Sequence, residues 1–195
     1  MNRLPSALTF VTLLSSSALT QGPWTIDRSH SSISFAVSHM VISEVTGKFR
    51  EFDITFASGK DDFTDGQIRA VIQAGSINTE NERRDNHLKS GDFFRADSFP
   101  TITFTSTGFE KTGEKTYNIR GNLTIRGTTN PVVFAAVHNG TVRSQREVRT
   151  GWTATLTLNR FEYGLKWDRA LETGAWVAGE TVKITVNAEF RKEKT

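Results

Sequence analysis

The chain has 195 residues, with 24 Lys and Arg against 21 Asp and Glu, and no cysteine. That length suits one domain or at most two, and the lack of cysteine excludes both a disulfide framework and a lipid-modified cysteine anchor. A formal net charge of +3 without a basic stripe gives no footing for nucleic-acid binding.

Met1 to Thr20 reads as a secretory signal. Arg3 is its only charge, Ala7 to Leu14 is an apolar run, and small residues follow, so cleavage is expected after Ala18 or Thr20. Thr and Ser interrupt the run, and it is shorter than the ~20 residues that span a bilayer. The mature chain is therefore expected in a periplasm or outside the cell, with residues 23–192 forming one folded domain.

Strand signals then recur along the chain. Ile33, Phe35 and Val37 alternate with the small residues Ser32, Ser34, Ala36 and Ser38. Phe52, Ile54 and Phe56 alternate next, and Phe49 stands out of phase by one, which predicts a bulge or bend between them. Ile68, Ala70 and Ile72 follow, then Ile102 and Phe104, then Tyr117 to Ile125. Pro131 to Val137 is apolar on both faces. Trp152 to Leu158 alternates cleanly, and Val182, Ile184, Val186, Ala188 and Phe190 keep a strict period of two. Many short strands punctuated by Gly, Asp and Asn turns predict a sandwich or a closed antiparallel barrel. Periodicity does not choose between these, but one wet face and one dry face suit a barrel wall. The 14 Phe and 4 Trp suggest a bulky apolar lining, against the alternative of an ordinary aromatic core.

Two stretches break the pattern. In Thr79 to Phe94, Thr79 and Glu82 have capping-box spacing and Gly91 can end a helix, so a helix is expected from about Glu80 to Ser90. Asp85 and Lys89 are spaced to pair on its surface. Leu88 is its one sizeable apolar residue, so it cannot be a core element. It is expected to lie over an end of the β structure, pinned by Leu88, Phe93 and Phe94. Arg84 and His87 share the Leu88 face and would then point into the mouth, where arginine's donor fork suits phosphate oxygens. The competing reading is a solvated, charge-laced surface helix. The second stretch, Tyr163 to Glu180, could form another cover, with Trp167, Leu171 and Ala175 on one side.

Chemistry beyond binding finds little support. The four histidines, His30, His39, His87 and His138, show no tight ligand spacing, so no metal site is expected. No nucleophile elbow, phosphate loop or dinucleotide fingerprint occurs, and no cofactor or catalysis is expected.

Taken in order, "WTIDRSHSSISFAVSHM", "GKFREFD", "SINTENERRDNHLKSGDFF", "FPTITFTS", "GNLTIRGTTNPV" and "NRFEYGLKW" resemble the YceI-like family of secreted polyisoprenoid-binding proteins over residues 23–191. The resemblance implies a mainly β fold, a single antiparallel lipocalin-like β-barrel with one or two short helices covering an end and an elongated apolar cavity. It implies an isoprenoid or similar amphiphile as ligand: a polyprenyl phosphate or pyrophosphate, or a quinone-like lipid. It implies no catalytic residues. Asn130, and Arg95 with Ala96, depart from the family pattern at loop positions that bear on head-group preference. The residues expected at the ligand are Arg84, His87 and His39 at the polar end, with Phe35, Leu88, Phe93, Phe94 and Trp167 against the tail. A transient membrane contact and a monomeric or homodimeric state accompany this expectation. The alternatives are an enzyme acting on a prenyl lipid, with His87 or His39 as acid or base, and a stress-related accessory protein that binds other amphiphiles or works with a membrane cytochrome.

Overall fold

The computed structural model describes residues 24–167 and 177–193. The leader Met1 to Thr20, and the cover residues Leu171 and Ala175, lie outside the described residues.

Eleven strands form one antiparallel sheet that closes on itself. The first six are halves of bent staves. β1 (Trp24–Ile26) and β2 (Ser32–His39) are separated by a 3-10 turn at Arg28–His30. β3 (Ser43–Phe49) and β4 (Phe52–Ala57) meet at a bend over Arg50 and Glu51, where the phase slip at Phe49 predicts one. β5 (Gln67–Gln73) and β6 (Ile77–Asn78) flank a second 3-10 turn. The long strands β7 (Thr101–Lys111), β8 (Thr116–Ile125), β9 (Thr128–Arg143), β10 (Glu147–Asn159) and β11 (Ala178–Glu193) complete a closed barrel of eight staves. Closure comes from β11, which pairs with β10 on one side and with both β1 and β2 on the other. A closed barrel leaves no sheet edge to be covered, and of the two architectures that periodicity allows, this is the barrel.

The period of two sets which side chains face inward. Val182, Ile184, Val186, Ala188 and Phe190 of β11 all face the interior, as do Trp152, Ala154 and Leu158 of β10. In Pro131 to Val137 the alternation survives the uniform composition: Phe134 and Ala136 are buried, while Val133 and Val137 stand outside.

The two ends of the barrel differ. At one end the loop between β4 and β5 folds inward. Asp65 holds it by accepting hydrogen bonds from the Ser58 hydroxyl (2.7 Å) and the Gly59 N–H (2.9 Å), and Tyr117 donates to the carbonyl of Asp62 (2.9 Å). This places Phe63 among Trp24, Phe56, Trp152 and His138. Phe56 is the hub of this aromatic stopper, 1 % exposed, with its ring also against Phe109 and Phe190. Its truncation to Ala is expected to cost about 3–5 kcal/mol.

At the other end β6, which pairs with β3, leads into α1 (Glu82–Lys89). The expected helix is present but shorter, and its caps differ. Asn81, not Thr79, is the N-cap, and its side chain accepts from the Arg84 N–H at 3.0 Å. Ser90, not Gly91, is the C-cap. Asp85 does not pair with Lys89. It is buried and accepts from the Thr79 hydroxyl and N–H, because the chain entering the helix carries donors that solvent cannot reach.

Candidate functional site

Inside the barrel lies a cavity of about 620 Å³. Its wall is built from the inward faces of nearly every strand, and its open end lies under α1. All eight residues expected at a ligand border it. Phe35 and His39 come from β2, Arg84, His87 and Leu88 from α1, Phe93 and Phe94 from the loop after it, and Trp167 from the segment before β11.

Each is held by identifiable contacts. The Phe35 ring packs over Gly47, where any Cβ would collide with it, and lies 5.8 Å from Phe49; Phe94 meets Phe49 edge-on at 5.9 Å. His87 stands edge-on to Phe93 (5.1 Å) and Trp167 (5.0 Å), and its Nε2 is 2.9 Å from an Asp92 carboxylate oxygen. Arg84 donates from Nε to the Thr79 hydroxyl (2.7 Å) and from Nη2 to the Thr79 carbonyl (2.8 Å). Since Thr79 is itself fixed by Asp85, the guanidinium is held at the rim in one orientation, with Nη1 left unbonded among the described residues.

Two basic lining residues are absent from the set expected at a ligand. Arg83 borders the cavity and is exposed. It lies four residues before His87, a spacing that serves the same face as well as Arg84 does. Arg160 is 4 % exposed and donates to the carbonyls of Leu165, Trp167, Ala178 and Gly179. Its distances to the Trp167, Ala178 and Gly179 oxygens are 2.8, 2.9 and 2.9 Å. The β11–β2 register shifts between Ala178 and Val182, which frees two of those carbonyls. The sequence carries a signal for this residue: Arg160 continues the inward series Trp152, Ala154, Leu156, Leu158, so it is a charge in core phase.

Among the described lining residues no Asp or Glu occurs. The ionisable side chains that reach the cavity are Arg83, Arg84, Arg160, His39 and His87, gathered toward its open end. The arrangement can take up an apolar chain and set basic donors against whatever polar group remains outside.

Away from the cavity, Asp27, His30 and Glu189 bring ligand atoms within 4.8 Å of one another. Arg149 already supplies the cation there. Its Nη1 donates to Asp27 (2.9 Å) and Glu189 (2.6 Å), and its Nε to Glu147 (2.6 Å). Hydrogen bonds from the Ser29 hydroxyl, from His30 and from Arg149 hold the Asp27 carboxyl well below the usual carboxylate range. The site is a structural ion cluster tying β1, β10 and β11.

Comparison with known proteins agrees with this architecture. The family model described as YceI-like domain matches residues 24–190. A UPF0312 protein of Staphylococcus aureus strain USA300 is 40% identical over 169 residues, covering 86% of this chain and 96% of the relative. Among solved structures, BcnA of Burkholderia cenocepacia superposes with a TM-score of 0.72 at 19% identity, over 84% of this chain and 98% of that one. A polyisoprenoid binding domain from Saccharophagus degradans, implicated in plant cell wall breakdown, superposes with a TM-score of 0.63 at 15% identity, over 87% and 98%. At these identities both structures speak to the fold alone.

Proposed function

The chain belongs to the family of YceI-like domains, and from that premise we propose that it is an exported binding protein that holds an isoprenoid-type amphiphile in its barrel. The ligand is a polyprenyl phosphate or pyrophosphate, or a quinone-like lipid. Its tail lies in the cavity, and its polar end meets Arg84, His87 and His39 at the rim. The observation that carries this reading is the combination of an apolar cavity of about 620 Å³ with, among the described residues, basic but no acidic lining side chains. The isoprenoid binding of the Saccharophagus degradans domain, which shares the fold, supports the choice of ligand class.

Energetics favour a division of labour. Each buried CH₂ contributes ~0.8 kcal/mol, so one isoprene unit supplies a few kcal/mol. Several units approach the ceiling of non-covalent affinity before the entropy of ordering the tail is subtracted. Tail burial therefore supplies the affinity, and the rim selects the head group and its register.

The test is organic extraction of the purified protein followed by mass spectrometry. A prenyl lipid in roughly stoichiometric amount is expected; an empty barrel that also fails to take up added prenyl lipid would overturn the proposal. The paired His87 and Asp92 at the mouth favour one second reading, acid–base catalysis on a prenyl pyrophosphate. Turnover that disappears in His87→Ala would select it.

A further inference from the structure

The tip between β2 and β3 is Met40-Val41-Ile42, and all three side chains are exposed, Val41 at 75% and Ile42 at 84%. The other exposed large hydrophobics, Val133, Val137 and Val142, sit singly along β9, and scattered apolar residues of that kind are ordinary. Three in succession at a hairpin tip are not. The backbone adds a second anomaly. Met40 and Val41 have φ of 52° and 66°, the combination that primed hairpin turns demand and that Gly, Asn and Asp normally supply. A β-branched residue there is a genuine outlier. The strain is held in place because the Ile42 N–H donates to the His39 carbonyl (3.1 Å) and the Met40 N–H to the Val177 carbonyl (3.1 Å). The chain thus keeps bulky apolar side chains where a polar or small residue would fit the backbone better, and such strain gathers at functional sites.

Position decides what the tip meets. Val37, Ser38, His39, Val45 and Val177, which flank the tip or bond to it, all border the open end of the cavity. The exposed Arg83 stands on the same rim, and the acidic side chains nearby, Asp92 at the mouth and Glu44 two residues past the tip, are already engaged by His87 (2.9 Å) and Lys183 (3.7 Å). A second copy docked tip to tip would set one basic rim against another. An anionic lipid surface complements both features, its acyl boundary accepting the apolar tip and its phosphates the rim arginines.

We infer that the Met40-Val41-Ile42 tip is a wedge that seats the open end of the barrel on an anionic phospholipid bilayer, so that lipid passes between bilayer and cavity without crossing water. The inference rests on the lipid-binding reading of the cavity for its purpose but not for its test.

The experiment is flotation of the purified protein with phosphatidylcholine vesicles, with and without phosphatidylglycerol. The wild type is compared with the double variant Met40→Asn/Val41→Gly and with Ile42→Ser. The double variant relieves the turn and is expected to melt at or above the wild-type temperature. Both variants are expected to lower partitioning onto phosphatidylglycerol vesicles by about tenfold or more. Wild-type protein that floats with neither vesicle, or folded variants that float as well as the wild type, would overturn the inference. So would a concentration-dependent dimer that both variants abolish, since that makes the occupant a second copy. Titration of a short prenyl alcohol, dispersed without vesicles, separates the two ideas. Unchanged uptake by the variants with lost flotation supports the wedge. Absence of uptake by the wild type strikes the cavity reading while leaving the flotation result to stand or fall alone.

Discussion

Thr79 gives both its hydroxyl (2.6 Å) and its backbone N–H (2.8 Å) to the same carboxylate oxygen of Asp85. The pair sits beneath Arg84, whose Nε leans on the same hydroxyl. One buried acid therefore fixes both the start of α1 and the direction of a rim arginine. Asp85→Ala leaves the Thr79 donors buried without an acceptor and is expected to destabilise the fold by about 1–3 kcal/mol. Asp85→Asn, which keeps an acceptor oxygen, is expected to recover part of that loss. Urea denaturation of the two variants measures both.

Arg160 is the second buried polar anchor. Its guanidinium gathers the carbonyls of Leu165, Trp167, Ala178 and Gly179, and its Cζ lies 4.6 Å from the centroid of the Phe161 ring. Arg160→Met keeps the volume and strands those acceptors, and a cost of about 3–5 kcal/mol is expected. Loosening there should show as faster hydrogen exchange at Leu165 to Trp167 and at the start of β11, ahead of the rest of the barrel.

Head-group selection is tested at Arg84. Arg84→Ala is expected to weaken binding of a prenyl phosphate by about 1.5–3 kcal/mol, the range of a hydrogen bond to a charged group. Binding of the matching alcohol should barely change. Arg84→Lys should restore charge but not the fork held by Thr79, leaving a partial defect. Calorimetric titration of the ligand pair decides it; equal losses for phosphate and alcohol would place Arg84 away from the head group.

The lining can be tested by filling it. Val186 faces the cavity from β11, flanked on the paired strands by Ala154 and Ile33, which also line it. Val186→Phe adds apolar volume inside the tube, so tail uptake should fall while stability holds or rises by up to about 2 kcal/mol. Val186→Asp should abolish uptake or folding, since it buries an unpaired carboxylate. A folded Val186→Asp variant with normal lipid uptake would put that face outside.

His138 gives the fold a pH dependence of known sign. Burial beside Phe63 and Trp152 is the main cause that lowers its pKa from 6.5, aided by the positive charges of Lys115 and Lys111. The unfolded chain then takes up the proton at higher pH than the folded one. The stability from this group is complete above the unfolded value and drains away as pH falls from there through the lower folded value. Urea midpoints are expected to drop on going from neutral to mildly acidic solution, and His138→Gln should flatten that drop.

The alternation in Val182 to Phe190 gives the strand two distinct faces but does not say which one lines the cavity, whereas the slip at Phe49 locates the bend between β3 and β4. The helix was legible for the opposite reason, because Glu82–Lys89 has nothing to bury but Leu88. Its caps were not. Thr79 and Asn81 are both good capping types, and only burial of Thr79 decides that its hydroxyl goes to Asp85. Arg160 was visible as a charge in the inward phase of β10, but its partners are backbone carbonyls that have no letter in the sequence. The β2–β3 tip was hidden altogether. A turn of positive φ is announced by Gly, Asn or Asp, and Met40-Val41-Ile42 contains none of them.

The Phe63 loop has a consequence for traffic. Phe63, packed among Trp24, Phe56, His138 and Trp152, corks the far end of the tube, so among the described residues the way in lies at the end beneath α1. A lipid held there as proposed would have to back out the way it came, the part that went in last emerging first. On that reading the side chains standing at the threshold set the rate of exchange.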